Sequence, residues 1–276
     1  VAKNQQPKNQ LKPINNPTIG ADIELFLKNY VNDEIVSAEG IIKGTKFAPF
    51  QFDEHNQYFS TSLDNVMAEF TIPPARESLQ FANNIKYAIG WINGFIPKEL
   101  QTVTLAAARV NPKYLETENA KLFGCEPDYN AWLMGDMNPK PECDSNLRSA
   151  GGHIHIGYDK PDYDISMALI RAMDIFIGLP SVIQEPDNER KQLYGKAGAF
   201  RHKPYGVEYR TVSNYYVESD SLMEWAFNNT LEAIDFVNNN SPLTGEHAKS
   251  IITAINTADK ELASTICKYF GVKLAA

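Results

Sequence analysis

Cysteine is scarce in this chain, with three in 276 residues. Cys125, Cys143 and Cys267 are an odd number at no zinc-ligand spacing, which argues against a disulfide framework and against a structural zinc site. Long apolar runs are also few, and charge interrupts them before the roughly 20 residues that span a bilayer. Positive charge is in deficit: 26 Lys and Arg stand against 34 Asp and Glu, for a net charge of -8. Broad non-specific binding to nucleic acid is therefore not expected, although a local basic site stays open. There is no glycine motif of the Walker or dinucleotide type and no internal repeat. Few cysteines and no cleavable leader pattern at Val1 make a reducing cytoplasm the expected compartment.

What remains is an ordinary globular composition, 43% hydrophobic and 22% charged. Residues 1–17, rich in Asn, Gln, Lys and Pro, are expected to form a flexible tail, because they cannot bury enough surface to offset their ordering entropy. Residues 18–276 are expected to form a single domain. Ile19 to Leu27 alternates as a strand, placing Asp22 and Glu24 on one face and Ala21, Ile23 and Leu25 on the other. Glu34 to Lys46 is strand-like and punctuated by glycine. Asn65 to Ile72 predicts another strand, stopped by Pro73-Pro74, in which Glu69 stands among apolar residues and needs a partner. Leu79 to Ile92 has helical spacing and ends at Gly94. Thr102 to Val110 predicts a strand, and Tyr114 to Phe123 a short helix ended by Gly124.

The polar, aromatic loop Glu126 to Trp132 and the proline-rich stretch Asn138 to Pro141 lead through Arg148 to the densest segment, Gly151 to Tyr158. Its period of two sends His153 and His155 to one face and Ile154 and Ile156 to the other. Such a pair alone is as readily a packed pair as a ligand pair. Ile165 to Ile183 is a long apolar helix with Leu169, Met173, Phe176 and Ile177 facing the core. Between Pro186 and Asn214 the chain gathers Glu189, Arg190, Lys191, Tyr194, Lys196, Arg201, His202 and Lys203, then a strand from Gly206 with Glu208 and Arg210 on one face. Arg and Lys in such a cluster attract phosphate or carboxylate oxygens. Helices over Ser221 to Asn238 and Glu246 to Phe270 close the chain, the segment from about 243 to 276 being expected to lie at the periphery. Acids and imidazoles from four strands suit Mg²⁺ or Mn²⁺ better than structural zinc.

In this order the paired acids, the later strand acid, the His-x-His strand after two glycines, the arginine-bearing loop and the closing Glu-x-Arg strand resemble the carboxylate-amine ligase (amidoligase) superfamily. Asp64 to Pro74, Gly151 to Tyr158 and Leu193 to Asn214 resemble, more narrowly, the phage-encoded type 2 amidoligases. The resemblance covers roughly residues 18 to 240. It implies an α+β fold of the glutamine synthetase type, with a curved, mostly antiparallel sheet and helices on its convex face. It also implies an ATP-dependent ligase that forms an amide through an acyl phosphate at a divalent-metal site. Asp22, Glu24, Glu69, His153 and Glu208 are the implied metal ligands. Arg201, Arg210 and Glu208 are the implied catalytic residues, and His155, Arg148, Arg190 and Lys196 the implied nucleotide or substrate contacts.

The implied partners are a small or peptide carboxylate and an amine. No membrane is implied, and nucleic acid is not expected except as a modified base. A homo-oligomer is compatible with the family, and a phage-encoded enzyme would work in the host cytoplasm. Two alternatives stay open: a phosphotransferase of the guanidino-kinase kind, and a non-catalytic binding module that keeps the fold.

Overall fold

The computed structural model describes residues 11–121, 128–138, 146–186, 188–239, 243 and 245–275. Six strands carry the architecture: β1 (Thr18–Asn29), β2 (Ser60–Asp64), β3 (Met67–Thr71), β4 (Gly152–Gly157), β5 (Ala199–Lys203) and β6 (Gly206–Tyr209). They lie side by side in the order β5-β6-β4-β1-β3-β2, within a twelve-stranded sheet of the described residues. Each of these neighbours is antiparallel. One short parallel contact joins Gly44–Thr45 to β2. The α+β class and the mostly antiparallel sheet expected from the sequence are thus present.

Register follows from alternation. In β1 the residues Ile19, Ala21, Ile23 and Leu25 are buried in the main core, together with Phe70 and Ile72 beside β3, Ile154 and Ile156 of β4, Phe200 of β5, and Val207 and Tyr209 of β6. Shifting any of these strands by one residue would turn acids and imidazoles into that core, so a single register is strongly specified. The helices pack on this apolar face: α1 (Ser78–Phe95), α2 (Tyr163–Met173), α3 (Leu179–Gln184), α4 (Asp220–Asn239), α5 (Glu246–Thr257) and α6 (Lys260–Phe270). A π-helical turn, Asp174–Gly178, joins α2 to α3. Together Tyr163–Gln184 forms a run of 22 residues apolar enough to cross a membrane by composition, but its most apolar stretch of 18 residues is 94% buried inside the protein. It is a core helix here.

Several expectations change. The strand expected over Thr102 to Val110 is two strands, Leu100–Val103 and Ala107–Arg109, the second pairing with Leu147–Ser149 in a separate sheet. The helix expected from Tyr114 is reduced to the turns Pro112–Tyr114 and Glu118–Lys121, and its expected end at Phe123 and Gly124 lies outside the described residues. Of the expected tail, residues 1–10 lie outside the described residues, whereas Ile14 is 3% exposed and exchanges two hydrogen bonds with the Asn238 amide. Burying one isoleucine and satisfying its backbone ties this stretch to α4. The last two helices are not peripheral, since Ile251, Ala254, Ile255, Ala263 and Cys267 belong to the main core.

Candidate active site

The polar face of the sheet is built by the same alternation that fills the core. Across β1 and β4, Asp22 is directly opposite His153, and across β1 and β3, Glu24 is opposite Glu69. Across β4 and β6, His155 is opposite Glu208, which also faces Arg201 of β5. Residues far apart in sequence therefore share one surface because each sits at the same parity on its strand.

Two electrostatic neighbourhoods result. In the first, ligand atoms of Glu24, Asp64 and Glu69 all lie within 4.8 Å of one another. Among the described residues no ion pair relieves them. Ser62 Oγ donates to Glu69 Oε2 at 2.6 Å, and the Gly151 N–H donates to Glu24 Oε2 at 2.6 Å. These hydrogen bonds do not offset burial: burial first and the Asp64 charge second push the Glu24 carboxyl up to about 8. Burial, then Asp22, Asp64 and Glu24, hold Glu69 well above the usual carboxylate range.

The second neighbourhood is compensated. Asp22 Oδ1 is 2.6 Å from His153 Nδ1, and Asp22 Oδ2 is 3.0 Å from His155 Nε2. Burial acts to raise Asp22, but the two imidazoles overcome it and hold the carboxyl well below its usual range. An ionised carboxylate only accepts, so both rings must present N–H to Asp22. His153 Nε2 lies beside Gly151, where an added Cβ would come within 2.2 Å of it. His155 Nδ1 is 2.6 Å from the Tyr205 hydroxyl.

Glu208 is fully buried and pairs with Arg210, with Lys203 Nζ at 2.7 Å and with Arg201 at 3.7 Å. Burial opposes its charge, yet Arg210 and the imidazoles bring the carboxyl down to about 2. Arg210 Nε also donates to Asp128 Oδ1 at 3.2 Å. One atom each of Asp22, His155 and Glu208 falls within 4.8 Å of the others, which makes a second group able to hold a cation.

Two clefts open on this face. One, about 620 Å³, is lined by Glu24, Asp64, Asp128, His153, Tyr194 and Arg210 among others. The other, about 1120 Å³, lies further along the strands over Gly20, Thr71 and His155, between Tyr58 and Tyr205. Asp22 and Glu69 line neither cleft.

Of the residues singled out by sequence, Asp22, Glu24, Glu69, His153, His155, Arg201, Glu208 and Arg210 are brought together. Arg148 and Arg190 line the first cleft, but their guanidinium groups are largely engaged by the fold. Arg148 binds Asn65 Oδ1 at 2.8 Å and the Ala120 carbonyl at 2.8 Å, while Arg190 binds the Thr211 carbonyl at 2.8 Å and the Arg210 carbonyl at 3.2 Å. Lys196 lines neither cleft, and its carbonyl accepts from Thr211. Asp64, Asp128 and Tyr205 were not singled out. Asp64 had a signal in the hairpin register, since Ser62 opposite Glu69 puts Asp64 on the same face. Glu126 and Pro127 lie outside the described residues.

An acid- and imidazole-lined sheet face beside a cation cluster defines a class of site suited to phosphoryl or acyl chemistry. Residues 132–240 match the family described as phage phiEco32-like COOH.NH2 ligase-type 2, the group that the sequence resembles. The matched stretch holds His153, His155, Arg201, Glu208 and Arg210, and the β1 and β3 acids lie before it. Among solved structures, a bifunctional glutathione synthetase from Pasteurella multocida aligns over 93% of this chain and 47% of that chain, at 11% identity and a TM-score of 0.44. The chain thus spans about half the length of that structure, and a likeness of this size carries no functional argument. No curated protein matches.

Proposed function

We propose that the protein is an ATP-dependent carboxylate-amine ligase with a sheet of the glutamine synthetase type. The observation that carries this is the division of one sheet face into an acid group, Glu24, Asp64 and Glu69, and a cation-rich group around Glu208, with Glu24, Asp64 and Arg210 lining one cleft and His155 lining another. Three neighbouring carboxylates, Glu24 buried and Asp64 and Glu69 half-buried, fit a hard divalent cation with oxygen ligands, Mg²⁺ or Mn²⁺. Glu24, Asp64 and Glu69 would hold one ion, and Asp22, His155 and Glu208 a second. Such ions supply charge compensation for phosphate oxygens.

In this reading the larger cleft takes the nucleotide, with His155 and Tyr205 at its edge, and the smaller takes the carboxylate and the amine. A carboxylate oxygen attacks the γ-phosphorus, ADP leaves, and an acyl phosphate forms. The amine nitrogen then attacks the acyl carbon, phosphate leaves, and the nitrogen gives up a proton. Arg201, Lys203 and Arg210 stabilise the oxygens that carry charge in both steps. Positioned donors in a buried site are worth more here than in water, because they are oriented before the charge develops.

The test is ATP turnover with Mg²⁺ or Mn²⁺ over a panel of carboxylates and amines, resolving ADP, AMP and phosphate. ADP and phosphate that appear only with both substrates establish the ligase. ADP without phosphate, dependent on a guanidino acceptor, identifies the phosphotransferase instead.

A further inference from the structure

Asp174 is fully buried on the opposite side of the sheet from the clefts. It sits in the π-helical turn Asp174–Gly178, inside the most apolar helical run of the chain. A carboxylate in such a place costs several kcal/mol unless hydrogen bonds hold it, and π-turns frequently mark functional positions. Three donors converge on Asp174. Trp132 Nε1 donates to Oδ2 at 2.6 Å, and Tyr209 OH donates to Oδ1 at 2.8 Å. The Gly198 backbone N–H adds a third, while Thr211 Oγ1, whose proton goes to the Lys196 carbonyl at 2.9 Å, lies 3.3 Å from Oδ1.

These donors belong to the segments that carry the site. Tyr209 stands between Glu208 and Arg210 on the chain. Gly198 precedes β5 and Arg201. Trp132 follows Asp128, the acceptor for Arg210 Nε. Arg171, three residues before Asp174, holds the same loop from its other side, donating to the Ala131 carbonyl at 2.6 and 2.9 Å and lying over the Trp132 ring. Gly178 leaves the space this requires, since a Cβ there would stand 2.6 Å from the Tyr209 hydroxyl.

We infer that Asp174 is a positioning residue, which ties β6, the start of β5 and the Asp128–Trp132 loop to one point beneath the sheet and so fixes the Arg210 guanidinium between Glu208 and Asp128. Nothing in the proposed chemistry touches Asp174. Its influence reaches the site only through the backbones of Tyr209 and Gly198 and through the Trp132 loop. The charged and titratable groups that face it are Lys191 from the turn Glu189–Gln192 and Tyr209 itself. Burial keeps the Asp174 carboxyl near 6 despite these donors.

The test uses the full-length ¹⁵N-labelled protein and follows the side-chain N–H resonances of Trp132 and Arg210 in the wild type, in Asp174→Asn and in Ser181→Ala. Ser181 lies in the same helical run, bonded to the Gly178 carbonyl, and controls for general loosening of the helix. The expected result is displacement of both resonances in Asp174→Asn, with Arg210 undisturbed in Ser181→Ala. An Arg210 resonance unchanged in Asp174→Asn, or moved equally in the control, overturns the inference. The catalytic consequence rests on the proposed ligase activity: Asp174→Asn should lower kcat at least tenfold with little change in the KM for ATP. A wild type without turnover would end the ligase proposal and leave the resonance test to decide the role of Asp174 alone.

Discussion

Glu24 and Glu208 are both buried carboxylates on the same sheet face, and their surroundings drive them in opposite directions. Burial and the neighbouring Asp64 push Glu24 up to about 8, whereas Arg210, His153 and His155 overcome burial at Glu208 and bring it down to about 2. Neutralising them should therefore have opposite effects. In metal-free protein the folded state holds protons on Glu24 and Glu69 that the unfolded state has released. Their contribution to stability is fully present below about pH 4.5 and is lost as pH rises through the folded value, about 8 for Glu24. Thermal melts in chelator should show Tm falling from pH 5 to pH 8, with the fall reduced in Glu69→Gln and in wild type given Mg²⁺. A pH-independent Tm in this window would remove the argument for uncompensated charge. Glu208→Gln leaves buried cations without their counter-charge and should cost about 3 kcal/mol, in the range for breaking a buried pair. Denaturant unfolding of the two variants side by side checks the difference in sign. Alternation alone paired Asp22 with Glu24, His153 with His155 and Glu208 with Arg210, each on one face of its own strand, while the resemblance implied that the three pairs meet in one site. Asp128 was not legible, because its partner is chosen by where a long loop closes over β6.

Among the elements, β4 depends most on what its residues lack. Gly151 and Gly152 precede the histidines, and each excludes a side chain for a different reason. A Cβ on Gly152 would meet the Ser213 carbonyl oxygen at 2.4 Å, a backbone atom that cannot step aside. A Cβ on Gly151 would meet the His153 ring, which could swing but only by leaving Asp22. Gly152→Ala should thus destabilise the fold by about 1–3 kcal/mol, the usual cost of overpacking. Gly151→Ala should keep more stability and lose divalent-metal binding, read by calorimetry. Equal losses of stability in both would mean that the His153 ring is held as rigidly as backbone. The sequence showed the glycine pair and the strand after it, but not what crosses behind them, since Ser213 lies some sixty residues on and reaches Gly151 through an isolated bridge. The same limit explains the single strand expected over Thr102 to Val110: its composition is continuous, and only the separate partners of its two halves divide it.

For the whole molecule, one polar face carries two clefts, one lined by Glu24, Asp64 and Asp128 and the other by Gly20, Thr71 and His155. The mixed α and β content followed from alternation and helical spacing, and the antiparallel sheet with its helical covering from the family resemblance, whereas the division into clefts depends on loops whose closure no local pattern records. If the two clefts take different ligands, they can be obstructed independently. Gly20 lies on the floor of the larger cleft, where an added Cβ would find its nearest neighbours at 3.6 Å or beyond, ordinary contact distance. Gly20→Val therefore fits the strand and fills the cleft, and valine suits a β position. Ser149 lines the smaller cleft from the strand Leu147–Ser149 and offers the matching change, Ser149→Leu. Under the proposed assignment Gly20→Val should raise the KM for ATP at least tenfold, about 1.4 kcal/mol of lost binding, and leave the KM for the carboxylate within about twofold. Ser149→Leu should do the reverse. Steady-state kinetics on both variants, with each substrate varied in turn, distinguishes the arrangements: crossed effects would exchange the clefts, and loss of both affinities in each variant would mean that the two spaces act as one.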